Sequence, residues 1–174
     1  MARSFLTGLI GLSGAAEDTL RIATIGIMVA LTFIQVVLRI LFSWGSPVWE
    51  EAARFVMIWS IAAGMIVTTR NDEHIKIDII ASMRLSKKVR IVGDIVGKLT
   101  CFIILCIFTW WSWDFILWSI GLNQRSYLLG MPMYPVHAAF LIGGVVSSLH
   151  MLAHLINRVK EGVLFIRAHN GGAE

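Results

Sequence analysis

Apolar residues dominate four stretches of the chain, and short polar segments separate these stretches. The stretches cover approximately residues 22–42, 47–69, 87–120 and 133–157. Residues 99–118 form the membrane part of the third stretch, which begins with charged residues. Crossing the hydrocarbon layer of a bilayer as a helix takes about 20 residues. The pattern therefore predicts an all-α membrane protein, with residues 1–174 forming a single membrane domain of four transmembrane helices.

The segment between the second and third stretches combines charge with a second apolar pattern. Ile75, Ile79 and Met83 share one face of a helix, and Lys76 lies off that face. This predicts a short amphipathic helix that lies on the membrane surface. An extended strand fits the periodicity almost as well, since Ile75, Ile77 and Ile79 alternate with polar residues.

Charged residues begin the second stretch. Ser46 is a favourable N-cap and Pro47 a favourable first helical residue, so Glu50 and Glu51 fall near the start of the helix. Glu50 and Arg54 are four residues apart and could form an ion pair at the helix end. Alternatively, all three charged side chains make polar contacts at the outer membrane edge with another subunit or with lipid headgroups, because charge in a membrane normally has a partner.

Small residues recur at every fourth position in the second and fourth stretches. They form two small-residue stripes, Ser60–Gly64–Thr68 and Ala139–Gly143–Ser147. Such a stripe lets another helix backbone approach closely, either within this chain or from another subunit. In the first stretch, Gln35 is expected to form a hydrogen bond to another helix.

The composition supports a membrane protein, since 57% of the 174 residues are hydrophobic and only 15% are charged. Twelve of the fifteen Lys and Arg residues precede the first stretch, lie between the second stretch and the membrane part of the third, or follow the fourth. By the positive-inside rule, both termini face the cytoplasm and Glu50 lies on the outer side. Basic residues flank the spans and do not form a stripe with aromatic residues, so nucleic acid is not an expected partner.

The residue pattern does not favour an enzyme or a cofactor protein. No nucleophile–base–acid set and no glycine-rich phosphate loop are apparent, so no catalytic residue is expected. The first three stretches lack the histidines that a membrane haem needs. His150 and His154 have a spacing that can bind a metal, but no carboxylate accompanies them, and histidines at the membrane interface are the favoured interpretation. We therefore expect neither a metal nor a cofactor.

A transporter that works alone usually has broken helices with polar groups at the membrane midplane. Here Pro47, Pro132 and Pro135 lie at helix ends, and the centres of the stretches are apolar. This pattern favours an accessory or scaffold subunit of a larger membrane complex. The alternative is a stand-alone small four-helix exporter or channel.

The middle of the chain resembles a known family. The residues that carry the resemblance are Trp49-Glu50-Glu51-Ala52-Ala53-Arg54, Trp59, Gly64, Arg70, His74-Ile75-Lys76-Ile77-Asp78 and Gly130-Met131-Pro132-Met133-Tyr134-Pro135. They are similar to the signature of the small membrane subunit of tripartite ATP-independent periplasmic (TRAP) transporters, the DctQ-like family. The resemblance covers approximately residues 20–157.

The resemblance implies a division of labour in a bacterial inner membrane. A large elevator-type membrane subunit would carry the substrate and sodium sites, and a soluble periplasmic protein would deliver an organic acid such as a C4-dicarboxylate or a sialic acid. The small subunit would support the fixed scaffold of the large one, contact membrane lipids and hold no substrate site. His74 and Asp78 would anchor an inner hairpin. The residues expected at subunit interfaces or in structural roles are Trp49, Glu50, Glu51, Arg54, Trp59, Ser60, Gly64, Arg70, His74, Asp78 and Gly143.

Overall fold

A computed structural model describes residues 2–43, 46–72 and 87–170 of the chain. These described residues form four helices, α1 (Ala2–Phe42), α2 (Pro47–Arg70), α3 (Lys87–Gly121) and α4 (Tyr134–Asn170). Each contains a stretch long and apolar enough to cross a membrane, namely Gly14–Phe42, Pro47–Arg70, Val89–Gly121 and Tyr134–Leu164. In these described ranges the β-structure is limited to one bridge between Arg125 and Pro132. The prediction of an all-α membrane protein with four spanning helices is confirmed.

The first and last helices are longer than the stretches that hydrophobicity defines. α1 is one helix from Ala2 and so begins well before the stretch predicted at 22–42. α4 continues to Asn170, past the expected end at 157. The amphipathic segment expected between the second and third spans lies at residues 73–86, outside the described residues.

The helices of the described part pack side by side in the order α1, α2, α4, α3, an arrangement called here the helix row. α1 packs on α2, α2 packs on α4, and α4 packs on α3. In the apolar windows of α2 and α4, 28% of the residues are buried, against 0% in α1 and 6% in α3. α1 and α3 are therefore the edges of the row, and side chains such as Phe33 and Trp110 are exposed where lipid would surround them.

The small-residue stripe of α4 forms the contact with α2. Ala139 and Ser147 are fully buried, and a Cβ at Gly143 would lie 3.2 Å from the Ala62 Cβ. Gly64, in the stripe of α2, differs because a Cβ there would meet no atom within 4 Å. The stripe of α4 thus brings α2 and α4 together, whereas Gly64 has open space beside it.

Gly144 lies one residue further along α4 and is responsible for the close approach of α3. A Cβ at Gly144 would lie 2.6 Å from the Thr109 Oγ1 and 3.4 Å from the Thr109 Cα. Gly144→Ala is expected to lower the free energy of unfolding by about 1–3 kcal/mol, because the added methyl group overpacks this contact. Thermal unfolding in detergent, followed by tryptophan fluorescence, measures the effect.

Gly64→Ala is the matched control for Gly144→Ala. It adds the same methyl group to open space, and the higher helix propensity of alanine should leave stability unchanged or raise it by up to about 1 kcal/mol. Equal effects of the two substitutions would contradict the close α3–α4 approach.

Candidate functional site

The second turn of α2 carries a buried carboxylate. Ser46 occupies the N-cap position with an extended backbone and Pro47 begins the helix, but the Ser46 side chain makes no capping hydrogen bond. Glu51 is only 8% exposed. Its Oε2 accepts hydrogen bonds from the Ser126 hydroxyl (2.6 Å), the Leu128 amide (3.1 Å) and the Leu129 amide (3.0 Å). We call Glu51 with these three partners the Glu51 cluster.

The loop between α3 and α4 has a defined shape that suits this carboxylate. The Ser126 amide donates to the Met131 carbonyl (2.8 Å), and the Gly130 amide donates to the Ser126 carbonyl (3.1 Å). Gly130 has a φ of 66°, a conformation that glycine adopts without the cost that a Cβ imposes. The turn directs the Leu128 and Leu129 amides at Glu51 and leaves Tyr127 94% exposed at the tip.

Glu50 turns to the other side of α2. Its Oε1 accepts a hydrogen bond of 3.0 Å from the Gln35 Nε2, which confirms that Gln35 bonds to another helix. Arg54 is exposed, and within the described residues it forms no ion pair with Glu50. The helix-end pair considered from the sequence is therefore not formed, because Glu50 contacts α1 instead.

The opposite end of α2 carries a network around Arg70. The Nη1 of Arg70 donates to the Gly14 carbonyl (2.6 Å) and to the Glu17 Oε2 (3.2 Å). Its Nη2 lies 2.9 Å from both carboxylate oxygens of Asp18. The planar guanidinium suits such a forked arrangement, in which charge assists each hydrogen bond.

Two histidines of α4 complete this network. The His150 Nε2 lies 3.1 Å from the Glu17 Oε1, and the His154 Nε2 lies 2.9 Å from the Arg70 carbonyl oxygen. The latter contact gives a partner to a carbonyl at the C-terminal end of α2, where helix carbonyls otherwise lack one. The Arg70 cluster, defined as Glu17, Asp18, Arg70, His150 and His154, thus joins α1, α2 and α4.

Further ion pairs connect α3 to its neighbours at the same end of the molecule. Lys98 pairs with Asp72, which follows α2. The Nη2 of Arg158 on α4 lies 2.6 Å from the Asp94 Oδ2, and its Nη1 lies 2.8 Å from the Oε2 of Glu161 on the same helix, α4. Asp94 and Lys98 of α3 are four residues apart, and each has a partner on a different part of the chain.

The centres of the spans carry no Asp, Glu, Lys or Arg. This holds for residues 22–38 of α1, 55–69 of α2, 99–113 of α3 and 134–157 of α4. Several hydroxyl groups here bond within their own helix, as the Thr109 Oγ1 does to the Leu105 carbonyl (2.7 Å), whereas the buried Ser147 hydroxyl has no partner among the described residues. Among the described residues, no group of three or more His, Cys, Asp or Glu side chains could hold a metal ion. Ionised side chains of these helices are thus concentrated near the helix ends, at the two membrane edges.

The comparison with known families agrees with this arrangement. The family model described as "Tripartite ATP-independent periplasmic transporters, DctQ component" matches residues 28–161. The chain belongs to the DctQ family. It is thus a TRAP transporter small permease subunit and a multi-pass membrane protein.

Two relatives of this DctQ-family chain come from Haemophilus influenzae, and both are named TRAP transporter small permease proteins. One is 24% identical over 147 residues, covering 83% of this chain and 88% of the relative. The other is 28% identical over 134 residues, covering 76% of each chain.

The family-signature residues lie in different parts of the structure and contact different elements. Glu51 faces the α3–α4 loop, which differs from the outward contact expected for it, and Glu50 faces α1. Trp49 and Trp59 are half-buried on α2. Arg70 lies at the other end of α2, within the Arg70 cluster. The remaining signature residues His74 and Asp78 lie outside the described residues.

Sequence reasoning missed the acidic partners of Arg70 in this DctQ-family chain. Glu17 and Asp18 are adjacent acids beside the first span, at the end where Arg70 closes the second. Opposite charges at one membrane edge were a usable signal, because such groups seek partners. Ser126 gave no comparable signal, since a serine in a short loop is common.

Proposed function

We propose that this chain is the accessory scaffold subunit of a sodium-coupled TRAP-type secondary transporter that imports an organic acid of the C4-dicarboxylate or sialic-acid class. It pairs with a large elevator-type membrane subunit that carries the substrate and sodium sites, and a periplasmic binding protein delivers the substrate. The observation that carries the proposal is the charge distribution, with apolar span centres between the Glu51 and Arg70 clusters.

The apolar centres argue against a solute path through this chain. A permeating carboxylate would need polar or basic groups near the membrane midplane to replace its water. The described helices place no Asp, Glu, Lys or Arg there, and they pack as an open row without enclosing a lumen. Thus no observation favours the stand-alone exporter or channel.

The two polar clusters support a bracing role. At one end, Arg70 joins α1, α2 and α4. At the other end, Glu51 holds the α3–α4 loop against α2. Helices that are held together at both membrane edges suit a subunit that stays fixed while a partner moves through the membrane beside it. Arg54 is exposed on α2 and available for contact with that partner or with lipid headgroups, and the open space at Gly64 is available for contact with that partner.

We place both termini in the cytoplasm of a bacterial inner membrane. The excess of Lys and Arg at the end that holds the Arg70 cluster supports this orientation. The Glu51 cluster and the α3–α4 loop then lie on the periplasmic side, where the binding protein docks.

The deciding experiment is reconstitution into proteoliposomes with an imposed sodium gradient. The complete system, composed of this chain, the large subunit and the binding protein, is expected to accumulate a labelled organic acid. Vesicles that contain this chain alone are expected to show no flux above that of empty vesicles. Screening dicarboxylates and sialic acids in the complete system identifies the substrate.

Two outcomes would overturn the proposal. Flux through vesicles that contain this chain alone would establish a path of its own. Full uptake by the large subunit and the binding protein without this chain would remove the need for a scaffold.

A further inference from the structure

Asp114 is an ionisable residue within the span of α3 that has no counter-charge among the described residues. It lies seven residues, or about 10 Å, before the end of the helix at Gly121, and about 24 Å beyond Lys98 near the opposite membrane edge. Asp114 is exposed and forms no ion pair in the described part of the chain. A charge at such a position is costly and points to a functional contact with a partner.

Asp114 lies on the side of α3 that faces away from the helix row. Among the described helices α3 packs only on α4, so its buried residues Ser112 and Ile116 mark the side that faces α4. Successive helical residues are about 100° apart, which places Asp114 about 200° from both of them. A partner can therefore reach Asp114 without displacing a described helix.

Three tryptophans flank Asp114 on this open side. Trp110, Trp111 and Trp118 are 68%, 70% and 54% exposed. They lie three or four residues from Asp114, so all three are its neighbours on the helix surface. We call Asp114 with these tryptophans the Asp114 site. Because a guanidinium stacks on indole faces and pairs with a carboxylate through two hydrogen bonds, an arginine suits both features of the site.

This chain does not supply that arginine. Three of its basic residues lie near the same membrane edge, namely Arg39, Arg54 and Arg125. Arg39 and Arg54 belong to α1 and α2, which do not pack on α3 within the described part. The Arg125 Nη1 lies 3.5 Å from the Gly130 carbonyl oxygen. The other twelve Lys and Arg residues belong to the opposite edge, so the cation comes from another molecule.

A basic side chain from a neighbouring helix suits the depth of Asp114 better than a lipid ammonium group does. An aspartate side chain is short, and its Cβ tilts towards the N-terminus of its helix. For α3 this direction leads towards the membrane centre and away from the headgroups. A long arginine side chain can carry its charge several ångströms along a helix to meet the carboxylate. Tryptophan and arginine are also enriched among the residues that dominate protein interfaces.

We infer that the Asp114 site binds an arginine side chain from a spanning helix of the large membrane subunit. The guanidinium pairs with the carboxylate and lies against the indole rings, and the large subunit takes the place of lipid at the α3 edge of the helix row. The inference rests on the proposed function and adds which edge of this chain meets the partner.

The affinity of the two membrane subunits in a bilayer tests the site on the full-length chain. Each subunit carries a fluorophore, and energy transfer in phosphatidylethanolamine–phosphatidylglycerol vesicles gives the dissociation constant. Asp114→Asn is expected to raise this constant at least about thirtyfold, because it leaves the arginine without its counter-charge. Asp114→Glu should lose far less affinity, since it keeps a carboxylate that accepts the same hydrogen bonds.

Glu161→Gln is the matched control for Asp114→Asn. It removes one carboxylate charge from α4 at the opposite membrane edge, where the Glu161 side chain is 65% exposed, and should leave the dissociation constant unchanged. Asp114→Asn should also leave the unfolding temperature of this chain alone unchanged, because Asp114 has no ion pair in the described part to lose. Lost affinity then reports the interface and not misfolding.

Photocrosslinking identifies the occupant of the site. Leu117, three residues from Asp114 and 50% exposed, is replaced by an amino acid that carries a benzophenone. Crosslinks are expected on a spanning helix of the large subunit, next to an arginine. Crosslinks to phosphatidylethanolamine alone, or an unchanged dissociation constant in Asp114→Asn, would overturn the inference but not the proposed function. No association of the unsubstituted chain with the large subunit would overturn both.

Discussion

Arg70→Ala is expected to lower the free energy of unfolding by about 3 kcal/mol, because it leaves the largely buried Glu17 carboxylate without its arginine partner. The Arg70 side chain is 16% exposed and the Glu17 side chain 12%, so water replaces the lost contacts poorly. The substitution also removes the hydrogen bonds to Gly14 and Asp18 that hold α1 against α2. Thermal or denaturant unfolding in detergent, followed by tryptophan fluorescence, measures the loss.

Arg54→Ala is the matched control for Arg70→Ala. It removes the same side chain from the same helix, but Arg54 is exposed and has no ion pair within the described residues. Arg54→Ala should therefore change stability by less than about 0.5 kcal/mol. Arg70→Lys should fall between the two, since lysine keeps the charge but loses the planar fork. Equal losses of unfolding free energy in Arg70→Ala and Arg54→Ala would show that the Arg70 cluster does not hold the helices together.

Glu51→Ala is expected to release the α3–α4 loop. The substitution leaves the Ser126 hydroxyl and the Leu128 and Leu129 amides without their shared acceptor. Amide hydrogen exchange at Leu128 and Leu129 should become at least about tenfold faster, because exchange reports local opening. Mass spectrometry of peptides that cover the loop measures this change.

Glu50→Ala is the control that distinguishes the role of Glu51 from that of its neighbour Glu50. It removes one hydrogen bond to Gln35 and should leave exchange in the loop unchanged. Glu51→Gln should have a smaller effect than Glu51→Ala, since the amide oxygen can still accept hydrogen bonds without the negative charge. Unchanged protection of Leu128 and Leu129 in Glu51→Ala would show that Glu51 does not hold the loop.

The same substitutions examine whether the loop matters in transport. In the complete system proposed above, Glu51→Ala is expected to reduce uptake, because the proposal places the α3–α4 loop on the side where the binding protein docks. Glu50→Ala serves again as the control. Uptake that is unaffected by both would confine Glu51 to the stability of this chain.

The spanning helices were predictable because one physical requirement determines them. A segment that crosses the hydrocarbon layer must be apolar over its thickness and must satisfy its own backbone hydrogen bonds. The stripe around Gly143 was also visible, since small residues at every fourth position indicate close packing. The order of the helices was not predictable, because lipid is as apolar as a neighbouring helix. Hydropathy alone therefore cannot say that α2 and α4 are central and α1 and α3 are edges.

The polar sites depended on information that a linear pattern does not contain. Glu50 and Glu51 are adjacent, yet successive helical residues point about 100° apart, and the two side chains reach α1 and the α3–α4 loop respectively. The role of Glu51 also needs the Gly130 turn, which directs backbone amides towards the carboxylate. Glu17 was missed for a similar reason, because its partners Arg70 and His150 come from two other helices.

The order α1, α2, α4, α3 also has a consequence for how the chain assembles. Each outer helix packs on the helix adjacent to it in sequence, so the first two helices and the last two each make a hairpin. Each hairpin can insert into the bilayer and pair internally before the other is complete. The last step of folding is then the lateral association of the two hairpins in the membrane, through the α2–α4 contact at Ala62 and Gly143.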